Sequence, residues 1–222
     1  MSNAQVIATV RMSQDRKIIE SLAEAQRTLN TVRNHEPLST LLATVGYDEA
    51  GLAEGESLCD ALQEKLLARQ AAMGAEREAN AEVKAADEAA RREYAGFRRI
   101  ARVLFTDAAS HEALGIDDRV TNDREQFIVQ ARNSYFAAQL APYADVFAGR
   151  GFDAEALDAA VAGVHELQDA DTVQAIVHSR ALSATQQRNA AAETLRRWMR
   201  EFKEVANVAL QEEPHLYQEL FS

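Results

Sequence analysis

Residues 46–105 read GYDEAGLAEGESLCDALQEKLLARQAAMGAEREANAEVKAADEAARREYAGFRRIARVLF, 60 residues without a proline. Alanine and unbranched side chains dominate the stretch, and these lose the least freedom in a helix. Leu58, Leu62, Ala72, Ala79, Val83, Ala86, Ala90, Phe97, Ala101 and Leu104 recur near a 3.5-residue spacing, a coiled-coil-like seam interrupted by Arg69 and Glu76. A helix from Asp48 to Phe105 would extend about 87 Å at 1.5 Å per residue. That is several times the usual length, so a kink or break is expected at Gly51, Gly55 or Gly74.

The stretch has an echo 105 residues later. Gly46-Tyr47-Asp48 falls on Gly151-Phe152-Asp153, Leu52 on Leu157, Arg91-Arg92 on Arg196-Arg197, and Phe97 on Phe202. Over residues 46–105 the alignment needs no gap and 14 of 60 positions are identical. Composition alone would give about 4 or 5, so the repeat organises the whole reading. Two copies follow, 1–116 and 117–222, packed together as one bundle.

Each copy repeats one order of signals. An amphipathic helix is expected from about Ser13 to His35, on the spacing of Ile18, Leu22, Ala25, Leu29 and Val32, and another from about Asn122 to Leu140. Asp15 and Asp123 are placed to cap them. Pro37 and Pro142 interrupt the chain, Gly46 and Gly151 suit left-handed helix ends, and Asp48 and Asp153 suit the caps of the long tracts. The second tract is expected to break at Gln168–Asp171, with Asp171 capping the restart.

Charge favours one pairing of the long tracts. Residues 48–64 and 153–171 each carry six acids and no Lys or Arg, whereas 88–102 carries five arginines against two acids. Antiparallel packing sets each acidic start against the other's basic end and suits both helix dipoles. The fold class expected is all-α: an antiparallel helical bundle with long helices, built from two tandem repeats of about 105 residues with pseudo-twofold symmetry. Nine glycines and three prolines argue against a sandwich or barrel.

Chemistry is hard to find in these residues. A di-iron bundle needs Glu-x-x-His pairs on two helices. Glu212-x-x-His215 alone has that spacing, and Pro214 interrupts it. His165 lacks the lysine and glycine neighbours of a phosphotransfer site, and His111-Glu112-Ala113-Leu114-Gly115 comes no closer to one. Cys59 lies among Glu56, Asp60 and Glu64, which disfavour a thiolate. No phosphate loop, nucleophile elbow or His-Glu-x-x-His occurs. One cysteine excludes an internal disulfide framework, and no cofactor or metal is expected.

Two groups of residues are candidates for binding. Arg91, Arg92, Arg98, Arg99 and Arg102, echoed by Arg196, Arg197 and Arg200, form a candidate interaction surface for an acidic protein. Tyr94, Phe97, Trp198 and Phe202 are candidates to line a cavity between the copies. The net charge of −11 disfavours nucleic acid and anionic lipid. No run is long and apolar enough for membrane insertion, and MSNAQVIATVRMSQDRK (1–17) lacks signal-peptide order. The expectation is a cytoplasmic, non-catalytic scaffold or protein-interaction module, with a homodimer possible. The alternative is a small-ligand binder using the aromatic cavity.

Along the C-terminal tract, Ala184-Thr185, Arg188, Ala191, Leu195, Trp198, Phe202, Ala206, Ala209-Leu210, Pro214, Leu216 and Leu220 resemble a signature of uncharacterised, all-helical bacterial proteins. That resemblance covers about 40 residues. It implies a helical bundle from a bacterial source and no catalytic residue or cofactor.

Overall fold

The computed structural model describes the backbone of residues 3–221 and the side chains of residues 15–221. Helix accounts for 85% of the structure, without a strand among the described residues, so the chain is all-α. In order the helices are α1 (Asn3–Asn34), α2 (Glu36–Ala43), α3 (Glu49–Leu104), α4 (Ala108–Ala113), α5 (Arg124–Ala138), α6 (Tyr143–Ala148), α7 (Ala154–Ala209) and α8 (Pro214–Phe221). No described helix is long and apolar enough to cross a membrane.

The punctuation expected from the sequence is present. Gly46 and Gly151 adopt φ of +95° and +82°, where a Cβ would be strained. The chain turns through them so that the Tyr47 and Phe152 amides donate back to the carbonyls of Leu42 (3.0 Å) and Phe147 (3.1 Å). Asp48 Oδ1 then accepts from the Ala50 and Gly51 amides at 3.1 Å, and Asp153 Oδ1 from the Ala156 amide at 2.9 Å. Asp123 caps α5 in the same way, accepting from the Gln126 amide at 2.9 Å.

Two expectations are corrected. The helix at the start of the chain does not begin near Ser13: α1 is already helical from Asn3, so Asp15 lies inside it and cannot cap. The Asp15 carboxylate instead accepts from Arg69 Nη1 (3.0 Å) and from Arg188 Nη1. The opening residues read for a leader lie mostly outside those with described side chains. The long tracts also do not break: α3 and α7 are each 56 residues and uninterrupted. A helical glycine costs only about 1 kcal/mol relative to alanine. Asp171, expected to cap a restart, pairs with Arg124.

The chain forms two compact units, Met1–Ala72 with Ala181–Ser222, and Met73–Arg180. Each draws on both halves of the sequence. The first unit's core joins Ile18, Leu22, Ala25, Leu29 and Val32 of α1 to Leu38 and Leu42 of α2. Leu52, Cys59 and Leu62 of α3, Leu195, Trp198, Met199 and Phe202 of α7, and Leu216 and Leu220 of α8 complete it. The second unit's core sets Phe127, Ile128, Ala131 and Tyr135 of α5 against Tyr94 and Phe97 of α3. Leu157, Val161 and Val164 of α7, with Phe147 of α6, close it.

The residues that interrupt the seam are themselves partnered. Within the first unit, Arg69 reaches Thr185 Oγ1 at 3.4 Å as well as Asp15. Within the second, Glu76 Oε1 lies 2.6 Å from His178 Nδ1, and Gln174 donates to Asn80 Oδ1 at 2.7 Å.

Candidate functional site

The arginines of α3 separate into two roles. Arg91 donates from Nε to both Asp87 oxygens (2.9 and 3.0 Å), from Nη1 to the Thr121 carbonyl (2.7 Å) and from Nη2 to that of Asn122 (3.3 Å). Its guanidinium also sits 4.3 Å above the Phe127 ring. Arg98 is 7% exposed and donates through Nη2 to the Ile116 carbonyl at 2.7 Å and to that of Asp118. Arg102 reaches the same Ile116 carbonyl at 2.7 Å. A planar guanidinium with five donors suits carbonyls that no helix satisfies. Burial also holds the Arg98 guanidinium below its ordinary pKa. These three arginines therefore fix the connection between α4 and α5. The described ion pairs do not join them to the acidic start of α7.

Arg92 and Arg99 are exposed and pair with no other described residue, and Arg197 on α7 is the same. Arg196 and Arg200 share Glu193, at 3.8 and 3.4 Å.

The four aromatic candidates lie in the two cores. Tyr94 and Phe97 have no exposed surface and pack in the second unit, where Phe97 meets Tyr135, Phe147 and Phe152 at ring separations of 5.0, 5.2 and 5.7 Å. The Tyr94 hydroxyl lies 2.9 Å from Ser134 Oγ. Burial raises the Tyr94 pKa, and the Ser134 bond opposes that rise. Trp198 stacks on Phe202 in the first unit at 5.4 Å and 9°, and Tyr47 closes edge-on against both.

A surface feature beyond these candidates lies on α5. Its inner side is apolar but for Ser134, and Val129 and Phe136 on the outer side are 48% and 47% exposed. Leu140, just past the C-cap Gln139, continues the stripe at 64%. Packed surface helices ordinarily present polar residues outward, and one apolar all round is ordinarily covered. The helix holding the stripe is fixed at both ends: Arg124 pairs with Asp171, and Gln139 donates to Asp158 Oδ1 at 2.7 Å. An open groove of 720 Å³ runs beside Val129, walled by Asp118, Arg119, Thr121, Glu125 and Gln130 among others. The available sequence signal was the excess of apolar residues in 127–140 over what one face can hold.

Among the described residues, no three His, Cys, Asp or Glu side chains converge as a metal site. The Cys59 thiol is buried and pushed up to about 11 by desolvation, with Asp60 and Glu56 adding to the shift. That rise makes it a poor nucleophile at neutral pH. No protein-family model, curated protein or solved structure matches the chain.

Proposed function

We propose that this chain is a non-catalytic helical scaffold whose task is to dock another protein. The observation that carries the reading is the outward stripe of Val129, Phe136 and Leu140 on the anchored helix α5. Large apolar side chains left about half exposed on a fixed helix cost solubility and bury only part of their surface in the fold, and their use is read as contact with a partner. Arg92, Arg99 and Arg197, exposed and free among the described residues, offer further polar contacts.

The scaffold is read as a tandem duplication with α3 and α7 antiparallel. Equal lengths of 56 residues and starts at Glu49 and Ala154 support the 105-residue offset. In the first unit Gly55 faces Trp198 and Arg69 faces Thr185; in the second Glu76 faces His178 and Asn80 faces Gln174. In each unit, numbers rising on α3 meet numbers falling on α7, which supports antiparallel pairing.

Affinity capture from a lysate of the source organism, read by mass spectrometry at low and moderate salt, tests the function. A reproducible protein partner whose capture is weakened by surface substitutions is the expected result. Turnover of a substrate by the purified protein, lost on changing a residue of the fold's interior, would overturn the reading.

A further inference from the structure

We infer that the first half of α1 is a strap that docks and undocks as a unit, with the Asp15 carboxylate as its latch. The second half of α1 is tied down independently of that acid. There Ala25, Leu29 and Val32 share a core with Leu38 and Leu42 of α2 and with Leu216 and Leu220 of α8. Glu24 accepts from Lys203 Nζ at 2.5 Å, and Arg33 pairs with Glu56 at 2.8 Å. Ahead of Glu24 the described ties to other helices are fewer. They are the buried side chains Ile18 and Leu22, and Asp15 on Arg69 and Arg188.

The second unit closes without such a half. At the offset of 105 that separates the starts of α3 and α7, residues 9–18 match 114–123, the non-helical connection between α4 and α5. At the same offset Arg188 matches Val83, which is also buried in a core. An apolar side chain thus suffices at that point of the long helix, and apolar replacements of buried ion pairs are often neutral or stabilising. A guanidinium there is a departure from what packing alone asks for.

The latch is electrostatic. Arg188 is buried and Arg69 largely so, and among the described residues Asp15 is the acid with which both pair. Docked without that charge, the strap would keep two guanidinium groups from water with no acid between them. Undocked, both are hydrated. The charge on Asp15 therefore decides which arrangement is lower in energy. Even closed, the arrangement is incomplete: the buried Arg188 Nε has no hydrogen-bond partner among the described residues. A groove of 390 Å³ also lies beside the latch, between Lys17 and Ile18 of α1 and Asn189, Ala192 and Arg196 of α7. Leu62, Leu66 and Ala192 belong to the same apolar cluster as Ile18 and Leu22, so undocking bares part of it beside two cations.

Native-state hydrogen exchange of the full chain, read residue by residue at low urea, tests this. Amides of residues 16–22 should share one opening free energy with a small urea dependence, whereas those of 25–34 open only with the core. Undocking is visible as exchange because so short a segment is marginal as an isolated helix in water. Asp15→Ala should speed exchange at 16–22 by at least about tenfold. Adding Arg188→Leu should slow it again by at least about threefold, since the deeper stranded charge is then gone. Exchange that rises smoothly from residue 22 back to residue 16 would be end fraying and overturns the strap. One common opening for 16–22 and 25–34 overturns it in favour of α1 leaving whole. Unchanged exchange in Asp15→Ala, or no slowing by Arg188→Leu, overturns Asp15 as the latch. The fraying and common-opening outcomes are read on the parent chain alone, so they decide the strap even where a variant does not fold.

Discussion

Arg188, with 2% of its side chain exposed, donates to the carboxylate of Asp15, a residue 173 positions away in sequence. Arg69 holds the second oxygen of the same carboxylate at 3.0 Å. Two guanidinium groups, one from α3 and one from α7, thus depend on a single acid from α1. Removing one partner of a buried pair leaves the other charge without compensation. Asp15→Ala should lower unfolding free energy by about 3 kcal/mol in urea titration. The double variant Asp15→Ala/Arg188→Leu should recover part of that loss, because the deeply buried Arg188 charge is then gone and only Arg69, which keeps its bond to Thr185, is left without the acid. A single-variant loss under about 0.5 kcal/mol would mean that water satisfies Arg188.

Two glycines within α3 should respond to alanine with opposite signs. A Cβ at Gly55 would lie 2.5 Å from Trp198 Cη2 and 3.0 Å from Leu29 Cδ2, whereas at Gly74 nothing lies within 4 Å. The Trp198 ring is stacked on Phe202 and has little room to retreat. Gly55→Ala should therefore destabilise by about 1–3 kcal/mol through overpacking. Gly74→Ala should stabilise by about 0.5–1 kcal/mol through helix propensity. Thermal melts of the two variants beside the parent decide it.

Arg98→Met should free the Asp118 carbonyl, leave that of Ile116 to Arg102 alone, and loosen the connection ahead of α5. Bonds from a charged donor contribute about 1.5–3 kcal/mol each, and Met retains part of the buried packing. The expected net loss is about 2 kcal/mol, with faster amide hydrogen exchange confined to residues near 114–123. Arg92→Ala, at an exposed and unpaired position, should change stability by less than about 0.5 kcal/mol.

The Cys59 thiol gives an alkaline signature. Its folded pKa is raised from 9.0 to about 11, chiefly by burial. A raised folded value means that the stabilising contribution is intact below pH 9 and is lost as pH rises toward 11. By pH 10 the loss should be about 1 kcal/mol, since one pKa unit corresponds to 1.36 kcal/mol. Urea midpoints of the parent should fall more steeply between pH 8 and pH 10 than those of Cys59→Val. Identical slopes would show that the thiol ionises as readily folded as unfolded.

Local chemistry made part of this fold legible in advance. Pro37, Gly46 and Asp48, and their counterparts Pro142, Gly151 and Asp153, act through their own φ angles and neighbouring amides, so their roles survive translation into structure. Asp15 misled because a residue fit to cap a helix says nothing of whether the preceding residues are already helical. The glycines of α3 misled because their small cost per residue is spread along a helix held by tertiary packing. The partners of Arg91, Arg98 and Arg102 are main-chain carbonyls of residues 116–122, groups that every sequence possesses and none advertises. Val129 and Phe136 remained hidden among apolar neighbours because periodicity records spacing and not which side is covered.

The second unit is one continuous stretch, Met73–Arg180, whereas the first needs Ala181–Ser222 to join Met1–Ala72. During synthesis the second unit can close as soon as its own residues have left the ribosome. The α1 face that buries Ile18, Leu22, Leu29 and Val32 must wait for Leu195, Trp198 and Phe202 to arrive. Nascent chains therefore carry that apolar surface until α7 has been made, and domains generally fold as units. Of the two units, the one begun first is the one completed last.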